Sequence, residues 1–277
     1  MRYQMSFLFR KIPLLFFLPY IAIVFFQDSK TAFINRSPDV EACLPMILAQ
    51  EINPEKEKET IKAQAVIART NIYKKIQEGR SLYGILQEVK KRYERADVSG
   101  RLLSEVYEEA VKETKDYVLT YKGKLKSVPY HEISAGTTRD GETVFRDLSY
   151  TYLQSVDSSQ DKESREYLTS VYIGESQMPK ELTVEERDEA GYVLSLRADG
   201  NLLEGEAFCQ GMNLPSSNFT IQKIGKRYRF LCKGKGHGLG FSQYGGNELV
   251  REGSNWKDIL EIYFPEMEIN IFLKKTE

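Results

Sequence analysis

Between Leu44 and Gly79 the apolar positions recur at helical spacing, and the pattern predicts two helices separated by a break. Asn53 and Pro54 mark that break. Proline is tolerated in a first helical turn, where its missing N–H leaves no bond unmade. Asn53 is therefore the expected N-cap of the second helix, with Glu55, Glu57 and Glu59 against the positive end of its dipole. Ile61, Ala65, Ala68, Ile72 and Ile76 form one apolar stripe on that helix, which is expected to stop near Gly79. Glu51 falls at the apolar end of the first helix, beside a turn and outside any charge run. Leu44, Met46, Ile47 and Ile52 around it would raise its carboxyl pKa by desolvation.

The rest of the chain mixes both periods. Ile85 to Ala96 carries mixed charge and reads as a solvated helical insertion, and Leu102 to Lys115 as an amphipathic helix. Tyr117–Tyr121 and Leu125–Tyr130 alternate around Lys122-Gly123, predicting a hairpin. Tyr152–Ser155 reads as a short strand, and the polar stretch Asp157–Glu189 as surface helix and loop. Tyr192–Leu196 and Leu202–Leu203 flank Asp199-Gly200, a second hairpin signal, and Phe219–Ile224 with Tyr228–Cys232 make a third pair around Gly225. Helices at Gln243–Arg251 and Trp256–Tyr263 and a strand at Ile269–Leu273 complete the prediction. The fold class is α+β, with mostly antiparallel strands and packed helices.

One run departs from this pattern. Arg2, Arg10 and Lys11 precede an unbroken apolar stretch from Ile12 to Phe26. A single N-terminal membrane-anchor helix over residues 1–28 is expected, oriented N-in and C-out, with a polar linker at 29–38 and a folded domain at 39–277. A cleaved signal peptide is the alternative, disfavoured because Val24, Phe25 and Phe26 offer no small-residue cleavage site. The domain would then lie on the extracytoplasmic side of the cell membrane. A chain of 277 residues with 41% hydrophobic and 29% charged residues can bury a sizeable core. Its net charge of -1 gives no footprint for nucleic acid. Cys43, Cys209 and Cys232 are too few and too scattered for a disulfide scaffold or a C-x-x-C metal site; Cys209 and Cys232 pair or remain two core thiols.

Candidate chemistry gathers around the only two histidines, His131 and His237. His237 sits in the turn GKGHGLGFSQYGG, from Gly234 to Gly246, whose alternating glycines permit positive φ and close backbone approach. Ser242 is placed to cap the following helix, leaving N–H groups for an incoming oxygen. Neither phosphate-loop pattern is present. A tight strand-to-helix turn whose histidine merely hydrogen-bonds is an equally available reading. His131 and His237 could hold a metal, but no third ligand is apparent, so none is assigned.

LPMILAQEI followed by KAQAVIART resembles the start of the stage II sporulation protein D (SpoIID) family, which includes LytB-type domains. Further blocks follow in order: HEISAGTT, YLQSV, MNLPSSNFTI, and GHGLGFSQYGG with LVREGSNWKDILEIYFPEMEI. The chain departs from the family pattern at Asn71 (usually tyrosine), Glu132 (serine), Ala135 (glycine) and Gln154 (lysine). The resemblance implies a peptidoglycan lytic transglycosylase that cuts between N-acetylmuramic acid and N-acetylglucosamine and leaves 1,6-anhydro ends, during forespore engulfment in sporulation. It implies Glu51 as the catalytic acid and base, with no cofactor. Arg69 would bind an acetamido or lactyl oxygen or pair with a buried carboxylate. Tyr152 and Tyr244 would stack on sugars, and His131, Ser134, Thr138, His237, Ser242 and Gln243 would line the groove. Implied partners are glycan strands, a cell-wall amidase and, through the N-terminal helix, the membrane. The alternative is a non-catalytic glycan-binding activator of that amidase.

Overall fold

Helix α2 (Lys58–Gln77) is packed on all sides: from Thr60 to Tyr73 every residue except Lys62 and Asn71 is buried. The computed structural model describes residues 39–95 and 104–272. The predicted anchor and linker lie outside the described residues, and no described helix is long and apolar enough to cross a membrane. The expected stripe on α2 is one of two. Ile61, Ala65, Ala68 and Ile72 pack in a cluster with α1 (Val40–Glu51), α3 (Leu82–Arg95) and α4 (Glu105–Glu113). Ala63, Val66 and Ile67 face a second cluster with Leu119, Phe241, Ile259, Leu260 and Phe264. An apolar surface that wraps a helix requires neighbours on every side, and small Ala63, Ala65 and Ala68 let them approach.

Both ends of the break differ in detail from expectation. Helix α1 begins at Val40 and carries Pro45 inside it. Helix α2 starts at Lys58, so Asn53 is not its N-cap: the Asn53 side chain accepts from Glu55 N–H in the turn, and Glu57 N–H donates to Asn247 instead. A tertiary partner 190 residues away replaces the local cap. The C-terminus follows local rules. Gly79, at φ 85°, donates to Ile76 O while Arg80 N–H donates to Lys75 O, the paired bonds of a glycine-terminated helix. Helix α3 corrects the solvated-insertion reading, since Ile85 and Val89 are buried in the first cluster.

Strand β1 (Tyr117–Tyr121) pairs antiparallel with β2 (Lys124–Leu125) across a turn with Lys122 and Gly123 both at positive φ. On its other edge lies β11 (Glu268–Ile271). The second arm of that hairpin ends early: β3 (Tyr130–His131) leaves to pair with β10 (Phe241–Ser242), the only parallel pair among the described strands. Tyr152–Ser155 is not a strand, although Tyr152 and Leu153 are buried. Asp157–Glu189 is likewise not helix and loop alone. It holds β4 (Leu168–Gly174) and β5 (Leu182–Arg187), with exposed Leu168 and Tyr172 on β4 and four charged or polar side chains in β5, which mask their period. These strands, which follow the short helix α5 (Gly141–Phe145), belong to two antiparallel sheets, β4-β9-β8 and β5-β6-β7, formed with β6 (Val193–Ala198), β7 (Asn201–Glu204), β8 (Phe219–Ile224) and β9 (Arg227–Lys233). Between the sheets sits a third cluster around Phe208, Phe219 and Phe230, closed by the short α6 (Gly205–Gly211). Cys209 and Cys232 are free thiols in that cluster. The chain ends through α7 (Gln243–Arg251) and α8 (Trp256–Tyr263) into β11.

Arg69 is fully buried in α2 and its guanidinium is saturated. It grips Glu41 of α1 with two bonds of 2.6 and 2.8 Å and donates to Val111 O, Thr114 Oγ1 and Tyr117 O. Removing one partner of a buried ion pair leaves the other charge uncompensated. We therefore expect Arg69→Met to lower the unfolding free energy by about 3 kcal/mol, read as a reduced urea midpoint; a midpoint equal to wild type would contradict this network.

Candidate active site

The parallel β3–β10 pair brings the loop His131–Thr138 against the glycine turn. Gly240, at φ 66°, passes so close to Pro129 that an added Cβ would sit 2.3 Å from its carbonyl oxygen. At Gly238 a Cβ would meet the Tyr192 ring at 2.4 Å. The glycines therefore serve close backbone approach and not only turning. Ser242 caps α7 as expected, accepting from Gly245 N–H. The helix start offers less to an incoming oxygen than the pattern suggested, because Tyr244 N–H already donates to Glu132 O.

Asp161, which the sequence reading passed over inside its polar stretch, organises this junction. It is completely buried and accepts from Ser134 N–H, Ser158 Oγ and Ser242 Oγ at 2.8, 3.0 and 2.9 Å. Burial pushes its carboxyl pKa up, and the donated hydrogen bonds pull it back. Tyr263 of α8 adds a hydroxyl against Ser158 Oγ at 2.7 Å. Arg139 does comparable work on the other side, pairing with Asp188 at 2.5 Å and Glu206 at 2.7 Å while donating to His237 O.

Glu51 closes α1 at the edge of this junction. Gln64 Nε2 donates to Glu51 Oε2 at 2.9 Å; Gln243 Nε2 donates to Glu51 O at 2.8 Å and to Gln64 Oε1 at 3.2 Å. Both amides are thereby oriented: each nitrogen donates, and the Gln64 oxygen accepts. The carboxyl opens into a cleft of about 660 Å³ that Gln243 and Tyr244 also line. Its remaining walls hold residues not anticipated as site residues, among them Lys56, Glu132, Glu163, Glu166 and Lys235. Lys56 was hidden in the run Glu55–Glu59, where charge reads as solvated surface.

The other candidate residues lie elsewhere. Arg69 sits in the buried network described above. Tyr152 is buried, its hydroxyl donating to Ser127 O. Ser134 accepts from Gly136 N–H, and Thr138 accepts from Val156 N–H and lies 3.5 Å from Gln154 O. His237 lines a separate cavity of about 380 Å³ with Asn71 and Ser127–Tyr130. Asn71 there exchanges two bonds with the Val128 backbone. His131 is buried with Nδ1 3.0 Å from Leu239 O, and its Nε2 has no partner among the described residues. The two imidazoles lie 5.9 Å apart, and no described group of three His, Cys, Asp or Glu side chains is disposed to hold a metal.

This is an α+β domain in which Glu51, bonded to two side-chain amides, lines a cleft of about 660 Å³. The family model described as SpoIID: Stage II sporulation protein matches residues 27–121. Stage II sporulation protein D of Bacillus amyloliquefaciens is 26% identical over 248 residues, covering 81% of this chain and 72% of that protein. Its counterpart in Bacillus subtilis is 25% identical over 251 residues, with the same coverage of each. A shorter similarity, 38% over 50 residues, links 18% of this chain to 7% of the Bacillus subtilis amidase enhancer. The chain is thus similar to stage II sporulation protein D over most of its length.

Burial pushes the His131 imidazole down from its ordinary value of 6.5 to about 3, the neighbouring His237 adding to the effect, and His237 is lowered for the same first reason. The folded chain thus keeps His131 neutral where the unfolded chain takes up a proton. Stability is full above pH 6.5 and falls as the pH drops from there towards 3, by at most about 1.4 kcal/mol per pH unit for this group. In urea titrations from pH 7 to pH 4, His131→Gln should show a shallower loss than wild type.

Proposed function

We propose that the domain is a lytic transglycosylase acting on peptidoglycan glycan strands, with Glu51 as its single acid and base. The observation that carries this reading is the Glu51 carboxyl lining the cleft with one oxygen bonded to Gln64. Glu132 and Glu166 share that cleft, but both are largely exposed and lean on Lys235 at 2.6 and 3.9 Å. One proton donor is enough for the reaction. The Glu51 carboxyl gives its proton to the glycosidic oxygen as the bond to the muramyl anomeric carbon breaks. The resulting carboxylate then takes the proton of the muramyl 6-hydroxyl as that oxygen closes onto the same carbon. The acid is regenerated, no water enters, and the product is a 1,6-anhydro end. Enzymes that hydrolyse by a two-carboxylate route need a second, correctly spaced acid.

Gln64 holds the carboxyl, Gln243 holds Gln64 and the Glu51 main-chain oxygen, and Tyr244 offers a partly exposed ring to a sugar face. The N-terminal segment is proposed as the anchor that holds this domain outside the cytoplasmic membrane, at work in sporulation. A second reading, a glycan-binding activator of a cell-wall amidase, is favoured by the similarity to the amidase enhancer. The two are separated by product: a transglycosylase leaves anhydro ends without added amidase.

Glu51→Gln, which keeps shape and removes the proton, should abolish release of anhydro-muropeptides from purified strands, detected by mass spectrometry; undiminished release would remove Glu51 from the chemistry. Gln64→Met should lower kcat roughly 10- to 100-fold with a much smaller change in KM, the pattern expected when a reacting group is misplaced. A rise in KM at constant kcat would instead make Gln64 a binding residue.

A further inference from the structure

Lys56 follows Glu51 by five residues and lines the same cleft. Its ammonium lies 5.2 Å from the centroid of the Tyr244 ring, so the ring face holds the side chain towards the cavity. Burial lowers its pKa below the ordinary lysine value. Glu248, Glu132 and Asp161 oppose that through space, and none is its hydrogen-bond partner. Lys235, also lining the cleft, differs, since Glu132 and Glu166 occupy it. Arg165 is exposed and stands between Glu163 and Glu166 in sequence. Among the cations that line the cleft, Lys235 is thus engaged by carboxylates, and Lys56 is held over an aromatic ring.

We propose that Lys56 is the cleft's receptor for a carboxylate carried by the substrate. The proposal rests on the glycan-cleaving reading and adds how the strand is placed. A peptidoglycan strand alternates two sugars, and only the muramyl ring bears an acidic substituent, the lactyl group on O3. That ring also carries the anomeric carbon attacked in the reaction. An ammonium lining the same cleft as Glu51 therefore distinguishes the two alternating linkages, presenting the muramyl side to the acid, while the exposed Glu132, Glu163 and Glu166 of that cleft disfavour a carboxylate placed against them. The carboxylate has two sources: the lactyl group itself where no peptide is attached, or the acidic groups of an attached stem peptide.

Calorimetric titration of the full-length chain in detergent, in the Glu51→Gln background to prevent turnover, separates these. The probes are a muramyl tetrasaccharide with free lactyl carboxylates, the same compound with those groups converted to methylamides, and the same compound carrying short acidic peptides. With Lys56 present, the free acid or the peptide-bearing form should bind about tenfold more tightly than the methylamide, the scale of one hydrogen bond to a charged group. Whichever form shows the gain identifies the source. Lys56→Met should bring that ratio to near one, and Lys56→Arg should keep most of it; a ratio is insensitive to a general loss of active protein. An unchanged ratio in Lys56→Met, or no preference for any carboxylate with Lys56 present, overturns the proposal. Because the readout is binding, a chain that keeps the ratio but yields no anhydro ends would fail the cleavage reading alone.

Discussion

A helix buried on every side has no water to satisfy its polar side chains, and that constraint on α2 shapes the molecule. Each polar group along it must find a protein partner or carry an uncompensated desolvation cost. Gln64 is bonded to Glu51 and Gln243, Arg69 to Glu41, Thr70 Oγ1 accepts from Leu119 N–H, and Asn71 brackets Val128. These bonds reach α1, α7, β1 and the segment before β3. The helix thus serves as a ruler along which the other elements are registered, and the orientation of the candidate acid is one graduation on it.

A second constraint acts on the opposite face of the cleft. Asp161 gathers the His131–Thr138 loop and the start of α7 onto one buried carboxyl, and the glycine turn fits because Gly240 and Gly238 carry no Cβ where Pro129 and Tyr192 press. The cleft is therefore the seam between a helix-registered half and a carboxyl-registered half, joined by Gln243, which belongs to the second and bonds to the first.

What the sequence revealed follows from how local each determinant is. The Lys122-Gly123 hairpin, the Gly79 stop, and helices Gln243–Arg251 and Trp256–Tyr263 rest on neighbours in the chain and stand where periodicity places them. The N-cap of α2 was misread because its partner, Asn247, is remote and no local rule names it. Strands β4 and β5 were missed because exposed Leu168 and Tyr172 and the charges of β5 blur alternation. Among candidate site residues, Glu51, Gln243 and Tyr244 share the cleft, while Arg69 and Tyr152 are held by interior partners. Residue type and spacing alone carried no information on which side of a packed helix or loop would face the cavity. Asp161 and Lys56 were invisible for the same reason, each lying in a polar run that reads as surface until tertiary contacts are known.

The bond from Gln243 to Glu51 spans 192 positions of the chain. A polypeptide made from its N-terminus carries Glu51 long before it carries the side chain that bonds its main-chain oxygen and steadies Gln64. Partial chains hold Glu51 without its second amide partner, and that bond forms only when the last quarter of the chain has been made and folded back. The order of synthesis thereby sets the order in which the surroundings of Glu51 are completed.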